Sequence, residues 1–247
     1  MRVPRVLSIS PPAARDAEEW VRRAPELVDA GADGLLLRVF GETGEVLERW
    51  LDGLMATGAT VLVHASTPGG VAAAQRRGIG LHLPDGPVTR PAGIGVLGVS
   101  RHAAGGHAAS GHAATGHATT GHAATGHAAT GSAPQDTTPQ GTTPQGTESE
   151  VDYLLLGPVF APHSKRGTRP PLGLGVLARG DVPAIALGGI DGSNAAACLA
   201  AGAHGVAGIG RFGDPREIAR IAAAVAREIA RATAGDAEAH PPRRRPH

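Results

Sequence analysis

Apolar residues along this chain fall into two alternating patterns. In the first, a short run that is apolar on both faces ends in a glycine, a charge or a histidine. Examples are VLSI at 6–9, GLLLRVF at 34–40, ATVLVHA at 59–65, IGLHL at 79–83, GIGVLGVSRH at 93–102, DYLLL at 152–156, VPAIAL at 182–187 and HGVAGI at 204–209. Such runs predict parallel strands covered on both sides. In the second pattern apolar positions recur at helical spacing, which predicts helices with one buried face. The stretch 16–30 is closed by Gly31 and has Leu27 and Val28 on its apolar side, and 45–57 sets Leu47, Trp50, Leu51 and Leu54 in register. Residues 68–77 make a further helix, and 214–232 makes the last, capped by Asp214 with Pro215 in its first turn. After PAIAL comes GGIDGSNAAACLAAGA: two glycines, an Asp/Ser/Asn cluster suited to an N-cap, and an Ala-rich helix stopped by Gly202. Eight strands interleaved with helices predict an α/β chain folded as a single (β/α)8 TIM barrel, and 247 residues match the usual size of about 250.

The alternation breaks after His102. Five near-copies of a five-residue unit, GHAAS, GHAAT, GHATT, GHAAT and GHAAT, occupy 106–130, and TTPQG then occurs twice. That period is too short for a solenoid, and a glycine in every copy opposes a helix by about 1 kcal/mol each. Residues 103–149 are therefore expected to be a disordered low-complexity insertion after strand 5, where helix 5 should lie. The barrel domain is expected to comprise 1–102 and 150–233, with 234–247 a disordered basic tail. The histidines of the tract either bind Zn, Ni or Cu weakly or belong to an expansion that the fold tolerates.

A barrel gathers the C-terminal ends of its strands around one mouth and carries its chemistry there. On that rule the candidate residues are Arg38 on strand 2, His64 on strand 3, His82 on strand 4, and Ser100, Arg101 and His102 on strand 5. A buried guanidinium is costly unless paired, so Arg38 is either in a structural ion pair or aimed at an anion. Histidines at three consecutive strand ends suit a proton-transfer site better than a metal, because no carboxylate or cysteine stands at a comparable position. The long loop after strand 6 carries His163, Ser164, Lys165 and Arg166 and is expected to act as a lid that favours a phosphorylated ligand. The glycine loops after strands 7 and 8, Gly188-Gly189 and Gly208-Ile209-Gly210 with Arg211 behind, stand where such barrels bind phosphate through backbone N–H groups.

Composition removes several classes. A net charge of +1 makes no case for nucleic acid. No apolar run approaches 18 residues and no leader pattern opens the chain, so neither a membrane span nor secretion is expected, and a cytoplasmic location follows. The single cysteine, Cys198, excludes an intrachain disulfide and reads as a buried structural thiol.

GPVFAPHSKRG, PAIALGGI with the following Asn194, AGAHGVAGI and the earlier GVSRH together resemble the thiamine phosphate synthase and TenI-type thiazole tautomerase superfamily, most strongly over 151–212. The resemblance implies that Gly188, Gly189 and the 208–210 loop bind the phosphate of a small-molecule thiazole phosphate, under a loop that closes around Lys165. It leaves a homo-oligomer open. The synthases use a Gln-x-Arg-x-Lys arrangement on strand 2 and Asp residues after strands 3 and 4 for magnesium. This chain has Leu36, Arg38 and Phe40, ends strand 3 in His64-Ala65, and continues strand 4 as LHLPDGP with Asp85 out of register. The resemblance to the tautomerase branch makes His102 the acid/base residue of a proton transfer without metal or cofactor. Arg38 and Lys165 would hold carboxylate or phosphate, and His64 and His82 would be second-choice proton carriers. A magnesium-dependent synthase and a non-catalytic thiazole-phosphate binder are the alternatives.

Overall fold

The structure, a computed structural model, describes residues 1–38, 44–102, 150–161, 170–178 and 180–239. Eight short strands form a closed parallel barrel in sequence order: β1 Val6–Ile9, β2 Gly34–Arg38, β3 Thr60–His64, β4 Gly80–Leu83, β5 Leu97–Arg101, β6 Tyr153–Leu156, β7 Ala184–Leu187 and β8 Gly205–Gly208, with β8 paired back onto β1. The predicted (β/α)8 barrel is the observed fold. Each apolar run supplies its strand, trimmed at the ends where the backbone turns into a loop.

The helices are α1 Ala14–Arg22, α2 Ala24–Asp29, α3 Glu45–Met55, α4 Pro68–Arg77, α5 Ala195–Ala200 and α6 Pro215–Ala239. Two depart from expectation. The single helix predicted over 16–30 is two helices broken at Arg23, because Pro25 has no N–H to donate back along the turn. The last helix runs past 232 to Ala239, beyond the expected start of the tail. No helix follows β4, and a 3-10 turn at Leu174–Leu177 stands where the helix after β6 would be. The insertion 103–149, the loop 162–169 with Lys165, and residues 240–247 lie outside the described residues. No helix among the described residues is long and apolar enough to cross a membrane.

Two apolar cores result from burying both faces of the sheet. Outside it, Trp20, Leu27, Leu51, Leu54, Ile218 and Ile221 join helices to strands. Inside, Leu7, Leu36, Leu62, Tyr153, Ile185 and Ala207 fill the barrel. Burying a side chain of this size contributes roughly 1.5–3 kcal/mol. The inner filling includes polar residues at its upper end, and the register shows which. Arg38 pairs with His64, His64 with His82, His82 with Gly98, and Gly98 with Tyr153. This row slants around the inner wall from β2 to β6 and contains the candidates Arg38, His64 and His82. Gly98 is its gap: a Cβ there would lie 2.0 Å from Cζ of Tyr153, so the missing side chain is what admits the tyrosine ring.

Candidate active site

Strand parity decides which of the predicted residues enter the barrel. Side chains alternate along a strand, so Ser100 and His102 share the inner face of β5 while Arg101 turns outward. There Arg101 pairs with Asp85 at 3.2 Å and donates to the Gly86 carbonyl at 3.2 Å. The carboxylate that the sequence places nearest a magnesium position is thereby held by a guanidinium on the outer side.

His102, half-buried just past β5, sets its Nδ1 3.0 Å from the Gly157 carbonyl at the end of β6. A carbonyl only accepts, so Nδ1 carries a proton, and Nε2 is the nitrogen turned away from that bond. His64 makes a 2.5 Å contact from Nδ1 to Oγ of Ser66. Burial and then the charge of Arg38 hold its pKa below the usual range. His82, 1% exposed, is packed beneath them with its ring 5.7 Å from that of His64. Its Nδ1 lies 2.9 Å from Oη of Tyr153 and its Nε2 2.9 Å from Oγ of Ser100. Burial, followed by the nearby charges of His64 and His102, lowers its pKa to about 3. Arg38 is half-buried at the end of β2, its pKa lowered by burial, with its backbone N–H on Oγ of Ser10 at 2.8 Å. Arg38, His64, His82, Ser100 and His102 thus stand along one wall of the mouth.

Across the mouth, the glycines after β7 do more than the sequence suggested. Gly188 and Gly189 have φ of +95° and +64°. A Cβ on Gly188 would lie 2.7 Å from Cβ of Pro158, and one on Gly189 would lie 2.5 Å from the Ala161 carbonyl oxygen. These residues are glycines because the β6 loop packs on them, and Phe160 N–H donates to the Gly188 carbonyl at 3.1 Å. Asn194 stands at the N-cap position of α5, but its side chain makes no capping bond. Its side-chain oxygen accepts from Asp191 N–H at 3.0 Å and its amide donates to the Gly189 carbonyl at 2.9 Å, which braces the loop instead. Gly208 is needed by Phe212, whose ring would lie 2.3 Å from an added Cβ. Gly210 has open space where its Cβ would be and an ordinary φ, so packing gives no reason for a glycine there. Among the described residues neither Gly189 N–H nor Gly210 N–H has a hydrogen-bond partner. Ile209 lies between, packed on the inner core. Arg211 turns away to line a groove of about 650 Å³ with Glu217, Arg220 and Arg227, outside the barrel.

Lys165, predicted to close over the site, lies outside the described residues, as does Phe40. The sequence reading passed over Tyr153 and the Gly157 carbonyl. Tyr153 is the only tyrosine of the chain, in a strand of leucines, and that singularity was its one signal.

Residues 137–212 match the family model described as thiamine monophosphate synthase. Two curated relatives, both named thiamine-phosphate synthase, are similar over part of the chain. That of Laribacter hongkongensis is 43% identical over 79 residues, 29% of this chain and 37% of the relative. That of Lysinibacillus sphaericus is 37% identical over 76 residues, 29% and 36% respectively. The chain thus spans about a third of the length of these curated relatives. Among solved structures, a thiamine phosphate pyrophosphorylase from Pyrococcus furiosus superposes with a TM-score of 0.59 at 17% identity, over 91% of this chain and 96% of that one. One from Bacteroides thetaiotaomicron superposes with a TM-score of 0.53 at 16% identity, over 96% and 100%. The family-model match spans β6–β8 with their glycine loops, where the chain is similar to the thiamine phosphate synthase and TenI superfamily, and the likeness to the solved structures shows a shared fold over nearly the whole chain.

Proposed function

We propose that this barrel binds a thiazole phosphate and isomerises it by a proton transfer through His102, the chemistry of the tautomerase branch. The observation that carries the reading is the 3.0 Å bond from His102 Nδ1 to the Gly157 carbonyl, which leaves Nε2 as an oriented base at the mouth. In this reaction Nε2 takes a proton from the thiazole carboxylate phosphate at one position, and the electron pair left behind shifts through the conjugated ring. The imidazolium then returns the proton at the second position, so the substrate is isomerised and His102 restored. The N–H groups of Gly189 and Gly210 would hold the phosphate, and Arg38 the carboxylate.

The second reading, magnesium-dependent coupling of a pyrimidine pyrophosphate to the thiazole phosphate, is favoured by the names of the curated relatives. The described mouth fits that metal poorly. Its inward strand-end side chains offer imidazole, hydroxyl and guanidinium groups, and Asp85 is engaged by Arg101, whereas Mg2+ takes carboxylate and water oxygens. A paired assay decides between them: isomerisation of thiazole carboxylate phosphate in EDTA, against thiamine phosphate formation with Mg2+. Isomerisation in EDTA that drops roughly 10²–10⁴-fold in His102→Ala is the expected result. Coupling that needs Mg2+, or full activity in His102→Ala, overturns the proposal.

A further inference from the structure

The buried end of the polar row has a direction. We propose that Tyr153, His82 and Ser100 form a one-way hydrogen-bond chain that holds His82 as its Nε2–H tautomer and turns the Ser100 hydroxyl proton into the mouth. His82 is then a positioning residue, and Ser100 is a fixed donor to an acceptor atom of the bound ligand.

The direction follows from the Tyr153 end. Its ring is fully buried and lies 23° from parallel to that of His82, with centroids 5.7 Å apart. Among the described residues His82 Nδ1, at 2.9 Å, is the one hydrogen-bond partner of the phenol oxygen. If the phenol accepted from Nδ1–H, its own proton would be buried with nothing to receive it, an arrangement native interiors avoid. The phenol therefore donates, which requires a lone pair on Nδ1, and the proton of the neutral ring sits on Nε2. Nε2–H then donates to Oγ of Ser100 at 2.9 Å, which leaves the hydroxyl proton free to point elsewhere. Ser100 is 8% exposed and lies two residues before His102 on the inner face of β5, so its open side is the mouth.

The surroundings hold this state. His64 and His102 face His82 from the mouth side, and their charge disfavours a second proton on its ring after burial has done so. Burial, and then the carboxylate of Asp152, push the Tyr153 phenol up, so it keeps the proton that the chain begins with. Gly98 makes the contact possible by leaving the tyrosine ring its place.

The test uses the full chain labelled with nitrogen-15 and needs no substrate, so its failure and the failure of the thiazole reading are separate results. Long-range proton–nitrogen spectra distinguish the two neutral tautomers and the imidazolium. The His82 signal is the one lost in His82→Gln. The expected spectrum is a neutral Nε2–H ring that does not titrate between about pH 7 and pH 5, and that becomes a tautomer mixture or begins to titrate in Tyr153→Phe. A neutral Nδ1–H ring, an imidazolium at about pH 6, or a signal unchanged by Tyr153→Phe overturns the proposal. Should Tyr153→Phe fail to fold, the wild-type spectrum decides the direction alone.

Discussion

His82 ties protonation to stability with a definite sign. Its pKa is lowered by burial to about 3 in the folded chain and returns to about 6.5 on unfolding. Below about 6.5 the unfolded chain binds a proton that the folded chain refuses, so stability falls as the pH falls, down to about 3. One such site gives a slope of up to about 1.4 kcal/mol per pH unit. His64 and His204 are shifted in the same direction, chiefly by burial, and add to it. Urea unfolding between about pH 6 and pH 5, above most carboxylate titrations, should show this slope, and His82→Gln should reduce it by about one proton. An unchanged slope in that variant would mean that His82 is already protonated in the folded barrel. Gly98 offers a second test at this scale. A Cβ 2.0 Å from a fully buried aromatic ring forces the ring or the strand to move, so Gly98→Ala should lower the unfolding free energy by about 1–3 kcal/mol. Thermal unfolding measures it, and a melting temperature equal to wild type would show that the ring does not cross there.

Among elements, the loop after β7 is held from three sides. The β6 loop packs on Gly188 and Gly189, the Asn194 side chain ties Asp191 to Gly189, and the buried Glu217 of α6 accepts from Gly192 N–H at 2.8 Å. Asn194→Ala removes both loop bonds while α5 keeps its own backbone bonds. It should weaken binding of inorganic phosphate or a thiazole phosphate about tenfold, measured by calorimetry, at a stability cost of about 1 kcal/mol. Unchanged binding would place the anion elsewhere. The sequence displayed this element well, and the structure adds the packing of the β6 loop as a reason for the glycine pair and gives the Asn194 side chain a bracing role in place of a side-chain cap. A glycine pair and an Asn before an Ala-rich run look alike whether they serve a ligand, a cap or a neighbouring loop. Only the position of β6, a non-local partner, distinguishes these.

For the whole molecule, stability depends on closing the ring between the first strand and the last. β1 pairs with β8, and a Cβ on Gly205 would lie 2.6 Å from the Arg5 carbonyl oxygen and 2.8 Å from that of Pro4. Backbone carbonyls in a ladder have no rotamer by which to yield. Gly205→Val should therefore lower the denaturant midpoint more than Gly210→Val, which enters open space at an ordinary φ. Equal effects in the two variants would show that the seam is not tight. The start of β1 is fixed from the neighbouring strand, since the Asp33 carboxylate accepts from Arg5 N–H at 2.9 Å and Val6 N–H at 2.8 Å.

By itself the sequence determined the class of fold, the order of its elements and the end of the barrel where chemistry gathers. Two-sided apolar runs have few ways to be covered other than parallel strands under helices, and the period of a run is a local property. It also determined the candidates Arg38, His64, His82, Ser100 and His102, which all stand at strand ends. Tertiary structure alone decided what each one meets. Parity and register sent Arg101 out to Asp85 and brought Tyr153 across Gly98 to His82. The β6 carbonyl that fixes the His102 ring lies 55 residues away along the chain. The protonation of an imidazole depends on what its two nitrogens meet, and those partners come from other strands that no local pattern names.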